Sequence, residues 1–243
     1  AEAHYNLGVL LQELGRLAEA ETSYRQAIAL RPSYVKAHFN LGNILKQLVR
    51  LEEAEASYRQ AIAFQPEFTD AYNNLGAILQ ELGRVFDAIE IYSELIALKP
   101  NFAQGYRSMA SALIGVAFGE PRPDYHEIIS SILDHKTYVR PSSISRAAIS
   151  LLKFEPTLKS AIEKNLEGKI KLSLHEIISD LSNIPLLLKL ISVCPLDDLE
   201  LEAILTDIRE GLLFSVSESS GESEFLRFQL ALALHCFTNE YIY

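Results

Sequence analysis

Three asparagines, Asn6, Asn40 and Asn74, recur at intervals of 34 residues. An amide side chain carries both a hydrogen-bond donor and an acceptor, which suits the paired N–H and C=O of an extended peptide. Asn is a poor helix-interior residue because its amide competes for backbone groups, so its recurrence at one phase asks for a reason. Two readings stand side by side: the amides hold a peptide backbone, or they bridge adjacent repeats. Catalytic chemistry finds no comparable arrangement. The histidines His4, His38, His126, His135, His175 and His235 share no metal-ligand spacing, and there is no Gly-rich phosphate loop, nucleophile elbow or CxxC. Cys194 and Cys236 are too few and too isolated for a disulfide framework or a zinc site. They read as core thiols and fit a reducing, cytoplasmic compartment. The chain is expected to be non-enzymatic, with no metal and no cofactor.

The elements that position these asparagines are written in the same repeat. Residues 1–34 and 35–68 are identical at 20 of 34 positions, and a third copy runs over 69–102. Every copy keeps the Asn-Leu-Gly triplet (Asn6-Leu7-Gly8, Asn40-Leu41-Gly42, Asn74-Leu75-Gly76), a tyrosine (Tyr24, Tyr58, Tyr92) and a proline (Pro32, Pro66, Pro100). Apolar spacing predicts two helices per copy, one through Leu7, Leu10, Leu11 and Leu14, the other through Leu17, Ala20, Tyr24, Ala27 and Ile28. Gly15 ends the first helix because a left-handed C-terminal position suits glycine. Pro32 ends the second, since it lacks an N–H. Gly8 lies inside a helix, where it costs about 1 kcal/mol relative to Ala. Three such glycines in register imply close helix packing, with Tyr24 filling the adjacent gap.

A fourth copy begins with Tyr106, Met109, Ala110 and Leu113 and then fails at Glu120-Pro121-Arg122-Pro123. Residues 103–118 are therefore expected to form a terminal first-type helix. Beyond it, helices are predicted near 124–135, 142–154, 156–167, 173–182, 185–194, 197–214 and 222–238. The start signals are Pro123, Pro156, Pro185 and the box Ser173-x-x-Glu176. The Ser- and Glu-rich stretch 215–224 reads as an exposed loop. With no alternating strand pattern, the chain reads as all-α, with an array over 1–118 and a helical region over 119–243.

Composition narrows the partners. The chain has 243 residues, 49% of them hydrophobic, with 22 Lys+Arg against 32 Asp+Glu and a net charge of −10. No window carries the excess of cations needed to follow a phosphate backbone, so nucleic acid is not an expected partner. No uncharged apolar run approaches the ~20 residues that span a bilayer. The sequence opens on Ala1-Glu2 and its one methionine is Met109, which reads as a piece of a longer protein.

The pattern Ala3-His4-x-x-Leu7-Gly8-x-x-Leu11, followed by Ala20, Tyr24, Ala27 and Pro32, resembles the tetratricopeptide repeat (TPR) family. The resemblance implies helix pairs stacked in a right-handed superhelix whose concave groove is lined by the first helices. Repeat positions 2, 5, 6, 9, 12 and 13 would then face the groove. They include Lys36, the column Tyr5, Phe39, Asn73 and Arg107, the column Asn6, Asn40 and Asn74, and Asn43 and Lys46. The asparagine column is similar to the one with which the array of O-linked N-acetylglucosamine transferase holds substrate chains by their backbone. A two-carboxylate clamp around Lys36, Asn43 and Lys46 is a second option. Two departures from the pattern carry expectations: Val49 replaces the turn glycine, implying a distorted turn, and Leu95 replaces a small residue, implying slightly wider packing. The ending from Cys236 to Tyr243 is similar to bacterial proteins that join TPR arrays to a methyltransferase.

The leading expectation is a non-catalytic module that binds a protein or peptide segment in the groove. The alternative is the substrate-recruiting or regulatory part of a larger glycosyltransferase or methyltransferase. Self-association, with helix 2–14 docking on another copy, is a third.

Overall fold

The computed structural model of the chain describes residues 1–134, 139–166, 174–194, 196 and 198–215, and these residues hold thirteen helices and no strand. They fall in two compact units, Ala1–Ala112 and Leu113–Tyr243.

The first unit follows the repeat. Its first-type helices are α1 (Glu2–Glu13), α3 (Val35–Gln47) and α5 (Thr69–Glu81), and its second-type helices are α2 (Leu17–Leu30), α4 (Leu51–Phe64) and α6 (Val85–Leu98). The seventh helix, α7 (Ala103–Leu113), opens the incomplete fourth copy. Each first helix packs on its own second helix, and α2 and α4 pack on α3 and α5 in turn. A single amphipathic pair leaves an apolar face open, and the neighbouring pair covers it.

The helix-interior glycines make close packing possible. The Tyr24, Tyr58 and Tyr92 rings are buried and lie flat over Gly8, Gly42 and Gly76. A Cβ on those glycines would stand 2.7, 2.7 and 2.4 Å from the ring carbons, closer than any real Cβ contact.

The turns between paired helices share one geometry. The N–H of Gly15 donates to the carbonyl of Gln12 (2.9 Å), and that of Arg16 to Leu11 (2.8 Å). This is the Schellman pattern, which needs a left-handed residue, and Gly15 has φ +72°. At the second turn the expected distortion is absent. Val49 donates to Lys46 (2.9 Å) and Arg50 to Leu45 (2.9 Å), and Val49 is held at φ +59°. The hydrogen bonds and the packing on both sides impose the glycine conformation on a β-branched residue. The strain stays at Val49 instead of spreading into the turn.

Leu95 is accommodated by its neighbour. It is fully buried, and its Cγ lies 3.5 Å from the point where a Cβ on Gly105 would be. Gly105 occupies the column where earlier repeats have Ala37 and Ala71, so the larger chain meets a smaller one. The terminal first-type helix is shorter than the expected 103–118. It stops at Leu113 because Gly115 takes φ +75°.

Charge also crosses the repeats, on the second helices. Arg50 donates to its own helix's Glu53 (2.6 Å) and to Glu21 of the preceding repeat (2.7 Å), while Arg25 bonds Glu21 (2.9 Å) and Glu53 (3.0 Å). Arg84 repeats the arrangement with Asp87 (2.6 Å) and Glu55 (2.8 Å), and Arg59 holds Glu55 (2.9 Å). The hydrogen bond from Arg50 is the main cause of a Glu53 carboxyl held below its ordinary pKa.

The second unit contains α8 (Asp124–Asp134), α9 (Pro141–Leu152), α10 (Pro156–Leu166), α11 (Leu174–Ser182), α12 (Pro185–Val193) and α13 (Leu199–Ser215). These agree with the six helices predicted up to residue 214. The predicted helix 222–238, the loop 215–224 beyond Ser215, His135, Ser173, His235 and Cys236 lie outside the described residues, as does the side chain of His175. Pro156 and Pro185 open their helices as predicted, and Pro141 does so as well. The packing is not sequential here. Helix α12 returns to α8 and α9 as well as touching α11, burying Leu186, Leu187, Leu190 and Ile191. Cys194 is buried, with its Sγ 3.5 Å from the Leu190 carbonyl. Among the described residues no helix is long and apolar enough to cross a membrane.

Candidate functional site: the face of the first helices

Behind this face stand the buried tyrosines, and their hydroxyls organise it. The Tyr24 hydroxyl donates to Gln12 Oε1 (2.9 Å) and accepts from Asn40 Nδ2 (3.3 Å), which also approaches the Tyr5 hydroxyl (3.3 Å). In the second repeat, Lys46 stands where Gln12 stood, and the acceptor moves to Asn43. Tyr58 donates to Asn43 Oδ1 (2.7 Å), which also accepts from Asn74 Nδ2 (3.0 Å). In the third repeat Tyr92 returns to the first pattern and donates to Gln80 Oε1 (3.0 Å). Burial pushes all three phenols up to about 12, so they remain neutral donors at physiological pH.

The asparagine column thus links successive repeats. Asn40 and Asn74 each donate to the preceding copy, and the fourth copy does the same with a different residue, Ser108 donating to Asn73 Oδ1 (2.7 Å). The amides remain partly exposed, and the side-chain oxygens of Asn40 and Asn74 accept no hydrogen bond from the described residues. Asn6 is exposed.

Aromatic rings flank the amides. Tyr5 packs on Tyr34 (centroids 5.0 Å apart) and Phe39 on Phe68 (4.8 Å), and both Tyr5 and Phe39 keep partial exposure. Each pair joins the first turn of one first-type helix to the residue that precedes the next. Val9, Gln12, Glu13, Asn40 and Gln47 line an open cleft on this face.

The remaining predicted residues are dispersed. Lys46 pairs with Glu81 of the next repeat (2.9 Å), and Asn43 is the hub just described. Two of the three clamp residues are thereby engaged within the array, while Lys36 is exposed. Arg107 is exposed and donates to Gln104 (3.3 Å). His38 is buried with its Nε2 2.7 Å from the Pro32 carbonyl. Sequence reasoning missed the hydroxyl ends of the tyrosines and the Gln12 and Gln80 acceptors. Their signal was the exchange of Gln for Lys at position 12 together with the arrival of Asn at position 9.

Residues 5–67 match one tetratricopeptide repeat model and residues 57–90 match another. The segment 5–90 therefore consists of tetratricopeptide repeats, and the described residues of the chain are helical with no strand. No curated protein matches the chain. Among solved structures, part of it is similar to MamA, at 28% identity over 46% of this chain and 65% of that one, with a TM-score of 0.44. It is also similar to the first TPR of Spaghetti (RPAP3) bound to an HSP90 peptide, at 21% identity over 45% of this chain and 87% of that one, with a TM-score of 0.43. A third likeness is to a mutant O-GlcNAc transferase of Thermobaculum terrenum, at 21% identity over 55% of this chain and 26% of that one, with a TM-score of 0.44. The chain thus spans less than two thirds of the MamA structure and about a quarter of the transferase.

Proposed function

We propose that residues 1–118 form a protein-interaction module that holds an extended segment of another protein along the face of the first helices. The observation that carries this reading is the state of Asn40 and Asn74. Each amide is fixed from behind by a hydrogen bond to the preceding repeat, and each carbonyl oxygen, at a partly exposed position, accepts no hydrogen bond from the described residues. A fixed acceptor loses little entropy when it takes an N–H from a peptide, and this lowers the cost of binding. Tyr5 and Phe39 add apolar surface beside the amides. Bridging and binding are compatible, since the bridge uses the nitrogen and leaves the oxygen.

The test is a display library of random peptides selected against the whole chain, followed by affinity measurement on Asn6→Ala and Lys36→Ala. Both residues are exposed, so neither change disturbs the fold. A lost hydrogen bond is worth about 0.5–1.5 kcal/mol, so binding is expected to weaken about two- to tenfold for each variant. Selected peptides that bind both variants as tightly as the parent would refute the assignment.

A further inference from the structure

The face of α1 directed away from α2 differs from its counterparts. Leu7 is 47% and Leu10 58% exposed, whereas Leu41, Ile44, Leu75 and Ile78 in the same columns are buried. Leu14 and Ala3 are exposed too. In the second and third repeats this surface is covered by the second helix of the preceding hairpin, α2 or α4.

A charged group repeats the asymmetry. Arg50 and Arg84 each use Nη1 to reach a glutamate of the preceding hairpin, Glu21 (2.7 Å) and Glu55 (2.8 Å). Arg16 spends Nε and Nη2 on Glu19, both at 2.6 Å, and its Nη1 has no partner among the described residues. Glu21 and Glu55 have side chains only 14% and 13% exposed, each held in turn by an arginine four residues on. The third repeat shows that the signature is selective, because Ile89 and Ser93 stand in the two columns.

We propose that the exposed face of α1 seats one more helical hairpin of the same kind, whose second helix carries a Glu-x-x-x-Arg pair that Arg16 engages. The four-residue connection between α2 and α3, residues 31–34, sets the register such a hairpin would adopt. A second copy of this chain is a poor occupant. Its second-type helices α2 and α4 are covered by α3 and α5, and Leu95 and Ile96 of α6 face Gly105 of α7. This inference is independent of the peptide-binding reading.

The experiment fuses a copy of residues 1–34 ahead of Ala1 in the full chain and follows amide hydrogen exchange in the original α1. Exchange there is expected to slow at least tenfold. Arg16→Gln, and separately Glu21→Gln made in the added copy, should each reverse about two- to fivefold of that protection, the range of an exposed ion pair. Each should have no further effect when the other is present. Unchanged exchange in α1 on adding the copy would overturn the proposal. So would an Arg16→Gln effect equally large in the unextended chain, or sedimentation showing that the unextended chain already protects this face by dimerising.

Discussion

Val49 provides a clean perturbation, because its cost lies in the backbone and not in contacts. The residue is held at φ +59° by two Schellman hydrogen bonds, and its side chain is 78% exposed. Placing an L-residue in the left-handed region costs about 1–2 kcal/mol, and a β-branched side chain sits at the upper end. Val49→Gly removes that strain and forfeits almost no burial. Against the gain stands the greater freedom of glycine in the unfolded chain, about 0.5–1 kcal/mol. The net expectation is a stabilisation of about 1 kcal/mol. With a urea slope of about 1–3 kcal/mol per M, the midpoint should rise by about 0.3–1 M, read by circular dichroism at 222 nm. Val49→Asn should give a smaller gain, because Asn tolerates this region better than Val. Gly15→Val, which imposes the same strain on the first turn, should lower the midpoint by a similar amount. If Val49→Gly left the midpoint unchanged or lowered it while Gly15→Val was harmless, strain confined to the turn would be the wrong account.

Two further outcomes follow from the tyrosines. Gly42→Ala would place a methyl 2.7 Å from the buried Tyr58 ring and should destabilise the array by about 1–3 kcal/mol. At Gly105→Ala the new Cβ meets nothing closer than 3.4 Å, and stability should hold or rise; paired unfolding curves separate the two. The phenols of Tyr24, Tyr58 and Tyr92, pushed up to about 12 by burial, should be missing from the spectrophotometric titration near pH 10. Their folded pKa lies above the unfolded value, so their contribution is complete below about pH 10 and is lost as the pH rises through about 12. Absorbance at 295 nm against pH should show these three titrating late, together with loss of helix.

What the sequence revealed and what it hid have separate physical causes. The Asn-Leu-Gly triplet and the Tyr24 column were legible because burial and close approach restrict residue type. A glycine tolerated three times in mid-helix has few explanations, and a buried ring above it was the right one. The helices of the second unit were legible from proline starts and apolar stripes. Their packing was not, since nothing in α12 says that it returns to α8 and α9. The inter-repeat charge chain was also missed. Nothing in the sequence around Arg16, Arg50 or Arg84 alone marks a partner, and only a comparison of columns 16, 19, 21 and 25 across repeats reveals the pairing. Asn40 and Asn74 were read as either bridges or peptide ligands. Periodicity fixed their phase but could not say which amide atom points where, and the nitrogens proved to be the bridging ends. Val49 misled for a similar reason, because residue type suggested that the backbone would yield when the hydrogen bonds held it in place.

The central claim is that the oxygens of Asn40 and Asn74 are presented to a bound peptide. Side-chain amide NMR signals test it most directly, with the whole chain titrated by a peptide selected from the library. The account predicts that the signals of Asn6, Asn40 and Asn74 shift, while those of Gln26 and Gln60 on the exposed side of the second helices stay fixed. Shifts confined to Gln26 and Gln60, with the asparagines unmoved at saturating peptide, would contradict it.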